Sequence, residues 1–126
     1  MKHFCQLVFS DFVVGTANTY TVPELNDLLA SADRLAIQAI VDQVTGTSPT
    51  LTIQVEMSSD DRNWSAKSGT AEINAVALDS ISTKILTGIE PGTNPGHGRT
   101  RLRIALGGTN PQANLKLYVT GRDRVP

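Results

Sequence analysis

The sequence predicts an all-β chain: an antiparallel two-sheet β-sandwich, jelly-roll-like in one variant, with about eight strands and one short helix. Three observations predict it. Three segments match an apolar–polar period of two well. Val and Ile are joined by fourteen threonines, a composition that fits a pleated, half-buried surface. Gly, Pro, Asn and Ser cluster between the alternating runs, where turns belong. The 126 residues suit one domain, residues 1–121, closed by a polar tail, 122–126.

The elements follow in chain order. Cys5 to Phe9 reads as a first strand, with Cys5 as a small core residue in it. A second strand is expected over Asn18 to Val22. Thr21-Val22-Pro23-Glu24 then has the form of a capping box. Leu25, Leu28, Leu29 and Ala32 follow at helical spacing, which predicts a short helix or turn near residues 23–29. Asp33-Arg34 breaks that pattern, and the β-branched Ile37, Ile40, Val41 and Val44 predict a strand from about 34 to 44.

In Thr50 to Met57, Leu51, Ile53, Val55 and Met57 face one way and the polar residues the other. Ala75 to Leu86 is a less regular strand region, apt to split in two. Gly88 to Gly98 holds four glycines and is a loop by every local rule, with His97 an exposed loop residue. Its glycines do not make a phosphate cradle, because no Gly-Lys-Ser/Thr ending and no helical pattern follow. Arg101 to Leu106 and Asn114 to Thr120 complete the set, each with one apolar face.

Val44-Thr45-Gly46-Thr47-Ser48-Pro49 and Leu106-Gly107-Gly108-Thr109-Asn110-Pro111 echo one another, each between two alternating segments. Glycine tolerates positive φ, Ser or Asn suits a turn, and proline withholds an N–H from pairing. Both are therefore read as hairpin connections.

Together with Ser59, Asp60 and Trp64, these motifs resemble small β-sandwich proteins encoded among the structural genes of tailed bacteriophages. Those chains pair a Gly-Thr-Ser-Pro hairpin with a Ser-x-Asp-Gly-x-x-Trp loop and a second Gly-Thr-x-Pro hairpin near the C-terminus. Asp61 stands where that pattern has glycine, which predicts a looser turn. The resemblance covers residues 34–64 and 99–121. It implies a virion component such as a capsid decoration or accessory subunit, made in the host cytoplasm. A major capsid or other virion protein is its expected partner, it is expected to be a homo-oligomer, and no catalytic residue is implied.

Charge divides unevenly along the chain. Residues 1–98 carry five Lys/Arg against eleven Asp/Glu, a net of −6, whereas residues 99–126 carry six against one, a net of +5. Arg99, Arg101 and Arg103 fall on one face of their strand, and Lys116, Tyr118, Arg122 and Arg124 extend the basic end. They read either as internal ion pairs with acids such as Glu56, or as a surface for an acidic partner. Nucleic acid is not expected, since only Tyr118 offers an aromatic platform.

Asp60, Asp61 and Asn63 form an acidic loop without EF-hand spacing, read as solvated rather than as a metal site. Trp64 reads as a cap on the sandwich core. Its alternative is a sugar-stacking platform in a carbohydrate-binding or adhesive module, with Asp60, Asp61 and Asn63 beside it. Two histidines and one cysteine leave little material for acid–base or nucleophilic chemistry, so no enzyme and no cofactor are expected. Nothing near the N-terminus reads as a secretory signal, and no apolar run approaches a membrane span.

Overall fold

A computed structural model describes residues 3–21, 32–58, 60, 62–66, 71–79, 82–89 and 99–123. Among these the chain is all-β, with strands β1 (His3–Val14), β2 (Thr19–Tyr20), β3 (Ala32–Ser58), β4 (Ser65–Ala66), β5 (Ile73–Ala77), β6 (Ser82–Ile89) and β7 (Arg99–Asp123). The predicted helix at 23–29 lies outside the described residues, as does 90–98, most of the predicted loop. Gly88 and Ile89 belong to β6, where they pair with Ala36 and Leu35. Arg122 and Asp123, assigned to the tail by sequence, continue the backbone of β7, and Arg122 pairs with both His3 and Arg34.

Two long strands organise everything else. β3 and β7 run antiparallel along almost their whole length, from Ala32 opposite Asp123 to Ser58 opposite Arg99. Their outer edges take the shorter strands. The first half of β3 pairs with β6 and the second half of β7 with β1, which makes one layer. In the other layer, the second half of β3 pairs with β5 and β4 and the first half of β7 with β2.

The hairpin expectation is corrected here. Both Gly-Thr-Ser/Asn-Pro motifs lie inside these long strands rather than between separate ones, and they face each other across the ladder. Thr45 pairs with Gln112, Thr47 with Thr109 and Thr50 with Gly107, and the register slips at each step. Gly46 and Gly108 take φ of 112° and 106°, and Ser48 and Asn110 take 50° and 48°. Positive φ at alternate residues bends a strand without ending its pairing, as β-bulges do. The result is a crease at which one hydrogen-bonded sheet passes from one layer to the other.

The two motifs also correspond in their outer contacts. The Pro49 carbonyl accepts the Leu78 N–H at 3.0 Å, and the Pro111 carbonyl accepts the Gly15 N–H at 2.8 Å. Each proline thus keeps its carbonyl in use while lacking a donor of its own.

Alternation supplies the core. Ile37, Ala39 and Val41 from one half of β3 join Leu51, Ile53 and Val55 from the other. β7 contributes Leu102, Ile104 and Leu106 before the crease, then Ala113, Leu115, Leu117 and Val119 after it. The inward residues change from even to odd positions across 107–111, because the bulge inserts one extra residue. Both layers therefore share a single apolar cluster. Each fully buried Leu or Ile contributes about 1.5–3 kcal/mol of hydrophobic stabilisation.

Cys5 is corrected as well: it is exposed, not in the core. It lies opposite Thr120 on β7, so it shares the outward face with Leu7 rather than the inward face of Val119. The sequence could not show which side of this edge strand would meet the core.

Candidate functional site

Two outer faces carry the residues singled out by sequence, and they lie on different layers. On the layer formed by β2, β7, β3 and β4, the register sets Arg101 opposite Glu56, and Arg103 opposite both Gln54 and Tyr20. Directly opposed residues share a face, so these side chains meet on the outside of the sheet. The Arg101 Nε donates to Glu56 Oε1 at 2.9 Å. The Arg103 Nε lies 3.8 Å from Glu56 Oε2, and its Nη2 donates to Gln54 Oε1 at 2.6 Å. One carboxylate thus bridges two guanidinium groups.

Aromatic rings complete this cluster. The Arg101 guanidinium carbon lies over the Tyr20 ring at 3.8 Å from its centroid and over the Trp64 ring at 4.2 Å. Trp64 consequently departs from the expected role as a core cap: it is half-buried on the outer face and outside the apolar cluster. A planar cation offers an indole face a better partner than the edge of an aliphatic core that is already filled. Thr21 anchors the neighbouring backbone. Its Oγ1 accepts the Leu102 N–H at 2.8 Å while its own N–H donates to the Leu102 carbonyl at 3.1 Å.

The loop before Trp64 is held by Asp60. Its Oδ1 accepts the N–H groups of Arg62 and Asn63, each at 2.9 Å, and the Ser58 hydroxyl at 3.0 Å. Its Oδ2 accepts the Asn63 side-chain amide at 2.8 Å. The backbone donors of Asn63 and Arg62, then the Asn63 amide and the Ser58 hydroxyl, hold the Asp60 carboxyl well below the usual carboxylate range. Both oxygens are engaged in shaping the turn that presents Trp64. Among the described residues no cluster of His, Cys, Asp and Glu could hold a metal ion. Asp61 lies outside the described residues.

The second face belongs to the layer of β1, β7, β3 and β6. Lys116 and Tyr118 stand there, opposite Ser10 and Leu7 of β1. Leu7, Phe12 and Val14 project on the same side and are 46%, 45% and 60% exposed. Lys116 is exposed and Tyr118 half-buried. The basic residues that the sequence grouped together are thus divided between two faces. The side chains of Arg99 and Arg122 are not described, and Arg124 lies outside the described residues.

Sequence reasoning missed Tyr20 and the apolar row on β1. Tyr20 lies far from Trp64 in the chain, and only the pairing of β2 with β7 brings it beside Arg101. The row on β1 was detectable as apolar residues, but its exposure follows from which neighbour β1 acquires.

No protein-family model matches the chain, and no curated protein sequence does. Solved structures do. The CBM22-1 xylan-binding domain of Paenibacillus barcinonensis Xyn10C aligns over 96% of this chain and 97% of its own, with a TM-score of 0.52 and 9% identity. A chain of infectious bursal disease virus, Gt strain, aligns over 94% of this chain and 31% of its own, with a TM-score of 0.51 and 13% identity. The cyanophage Pam1 capsid aligns over 94% and 82%, with a TM-score of 0.44 and 21% identity. What the first two share with this chain is the fold. The chain spans about a third of the length of the infectious bursal disease virus chains it matches.

Proposed function

We propose that this chain is a non-enzymatic structural subunit of a phage or phage-like particle, a capsid decoration or accessory virion protein. It assembles as a homo-oligomer on a major capsid or other virion protein. The observation that carries this reading is the outer face of β1 and β7, where Leu7, Phe12 and Val14 stand exposed beside Lys116 and Tyr118. An apolar row rimmed by a cation is the kind of surface that is covered in an assembly. The motif resemblance supplies the particle, and the sandwich supplies a rigid support. Arg99 and Arg122, near the two ends of β7, remain candidate contacts, as does Arg124. Arg101 and Arg103 lie on the other layer, where Glu56 and Gln54 engage part of their hydrogen-bonding capacity.

The test is incorporation. A tagged chain expressed in a host producing the particles is expected to co-purify with them and to appear at their surface by electron cryomicroscopy. Leu7→Lys combined with Phe12→Lys is expected to abolish incorporation while leaving the circular dichroism spectrum unchanged. Particles that never contain the wild-type chain would overturn the reading.

A second reading, a carbohydrate-binding or adhesive module, is favoured by one observation. Trp64 lies at the surface with Tyr20, itself 41% exposed, rather than in the core. A glycan array separates the two: a sugar ligand lost on Trp64→Ala supports the module.

A further inference from the structure

Around Tyr20, Arg101 and Trp64, the guanidinium groups of Arg101 and Arg103 share one carboxylate, that of Glu56. We propose that this cluster is a binding site for an acidic glycan, a polysaccharide bearing uronate carboxylates. This inference rests on the carbohydrate reading and specifies its ligand class.

Charge complementarity carries the argument. Two guanidinium groups share the single Glu56 carboxylate. The Arg101 Nε and the Arg103 Nη2 are the nitrogens with the short bonds, to Glu56 and Gln54. Among the described residues, the hydrogen bonds from these two guanidinium groups run through Arg101 Nε and Arg103 Nη2, with Arg103 Nε near Glu56. A guanidinium with one edge pinned presents the other as a planar fork, which matches a carboxylate in geometry and charge.

Pre-organisation supports it. The Arg101 side chain is 20% exposed and the Arg103 side chain 32%, so both are partly desolvated yet reachable. Tyr20 and Trp64 hold the Arg101 plane in place, and the Asp60 turn holds the segment leading to Trp64. A ligand meeting fixed donors loses less ordering entropy than one meeting mobile arginines. Aromatic faces next to fixed donors suit a sugar ring, which has apolar C–H faces and a polar rim. A protein partner finds its apolar contacts on the opposite layer instead, around Leu7 and Phe12.

Isothermal titration calorimetry on the whole chain tests the proposal with three probes: hexagalacturonate, neutral xylohexaose and poly-glutamate. Hexagalacturonate is expected to bind at least about tenfold more tightly than either of the others, a difference of about 1.4 kcal/mol. Its affinity is expected to fall as salt is raised, because the paired charges stay partly solvated. Trp64→Ala and Arg103→Gln are each expected to weaken it at least about tenfold with the fold intact by circular dichroism. Arg103→Gln tests the site even where Trp64→Ala perturbs the loop.

Equal binding of xylohexaose would overturn the acidic class while leaving the carbohydrate reading standing. Equal binding of poly-glutamate would overturn the glycan in favour of an acidic polypeptide. Absence of binding to hexagalacturonate at millimolar concentration would also overturn the proposal, whereas absence of binding to any glycan would remove the carbohydrate reading with it.

Discussion

Gly46 and Gly108 are the two described glycines at which a Cβ would run into the backbone of the facing strand. A Cβ on Gly46 would stand 2.8 Å from the Asn110 carbonyl oxygen and 2.9 Å from the Pro111 Cα. On Gly108 it would stand 2.7 Å from the Thr47 carbonyl oxygen. These neighbours are backbone atoms of the partner strand and cannot rotate away, and the positive φ adds strain of its own. Gly46→Ala and Gly108→Ala are each expected to cost about 3 kcal/mol or more, read from urea denaturation midpoints. Gly15→Ala serves as the control, because its Cβ would meet nothing within 4 Å and only its φ of 81° opposes the change. At Asp60 the expected readout is a titration. A carboxyl whose folded-state pKa is depressed contributes stability above its ordinary value of about 4, and loses it as pH falls toward the depressed one. The Asp60 carboxyl carbon is therefore expected to show no NMR titration step near pH 4, and Asn63→Ala is expected to restore part of that step.

The elements explain how the sheet manages its borders. Among the described residues β1 pairs on one side, with β7. Since the Gly15 N–H bonds to β7, alternation points the Phe12 N–H toward the free edge, and there the Asp11 carboxylate accepts it at 2.7 Å. A charged side chain that satisfies its own edge discourages further strand addition. Asp11→Ala is expected to leave the fold intact and raise concentration-dependent self-association, measured by light scattering. Glu72 acts similarly on β3. Its Oε2 accepts the Val55 N–H at 2.7 Å, between the stretches where β5 and β4 pair. Glu72→Ala is expected to cost about 1–3 kcal/mol by leaving that amide without its carboxylate partner.

At the scale of the whole molecule, one apolar cluster spans both sides of the crease. Among the described residues the two layers share this one core, so unfolding is expected to be a single cooperative transition. Leu117→Ala, in one layer, and Ile53→Ala, in the other, are each expected to cost about 2–5 kcal/mol. They are expected to lower the same transition by circular dichroism and by Trp64 fluorescence, and two separate transitions would contradict a shared core. The long pairing of β3 with β7 also predicts slow folding, in milliseconds to seconds or slower, because distant segments must meet before the core forms.

Much of this was legible in the residues. Alternation located the second half of β3 and both halves of β7 with the apolar face of each, because a pleated strand half-buried in an antiparallel sheet imposes a period of two; β-branched residues located the first half of β3. The twin Gly-Thr-Ser/Asn-Pro motifs announced special backbone, and Arg101 stood out with Glu56 as a possible internal partner. The residues alone were enough for the all-β class, for the inward faces of 51–55, 102–106 and 115–119, and for the two places where glycine's positive φ is used. Long-range pairing is what makes those places facing creases in continuous strands rather than hairpin turns, leaves Cys5 exposed, and rests Trp64 on Arg101 beside Tyr20. The physical reason is the same in each case. Local chemistry sets what a residue can do with its own backbone and face, but which strand lies alongside depends on pairing between residues far apart in the chain.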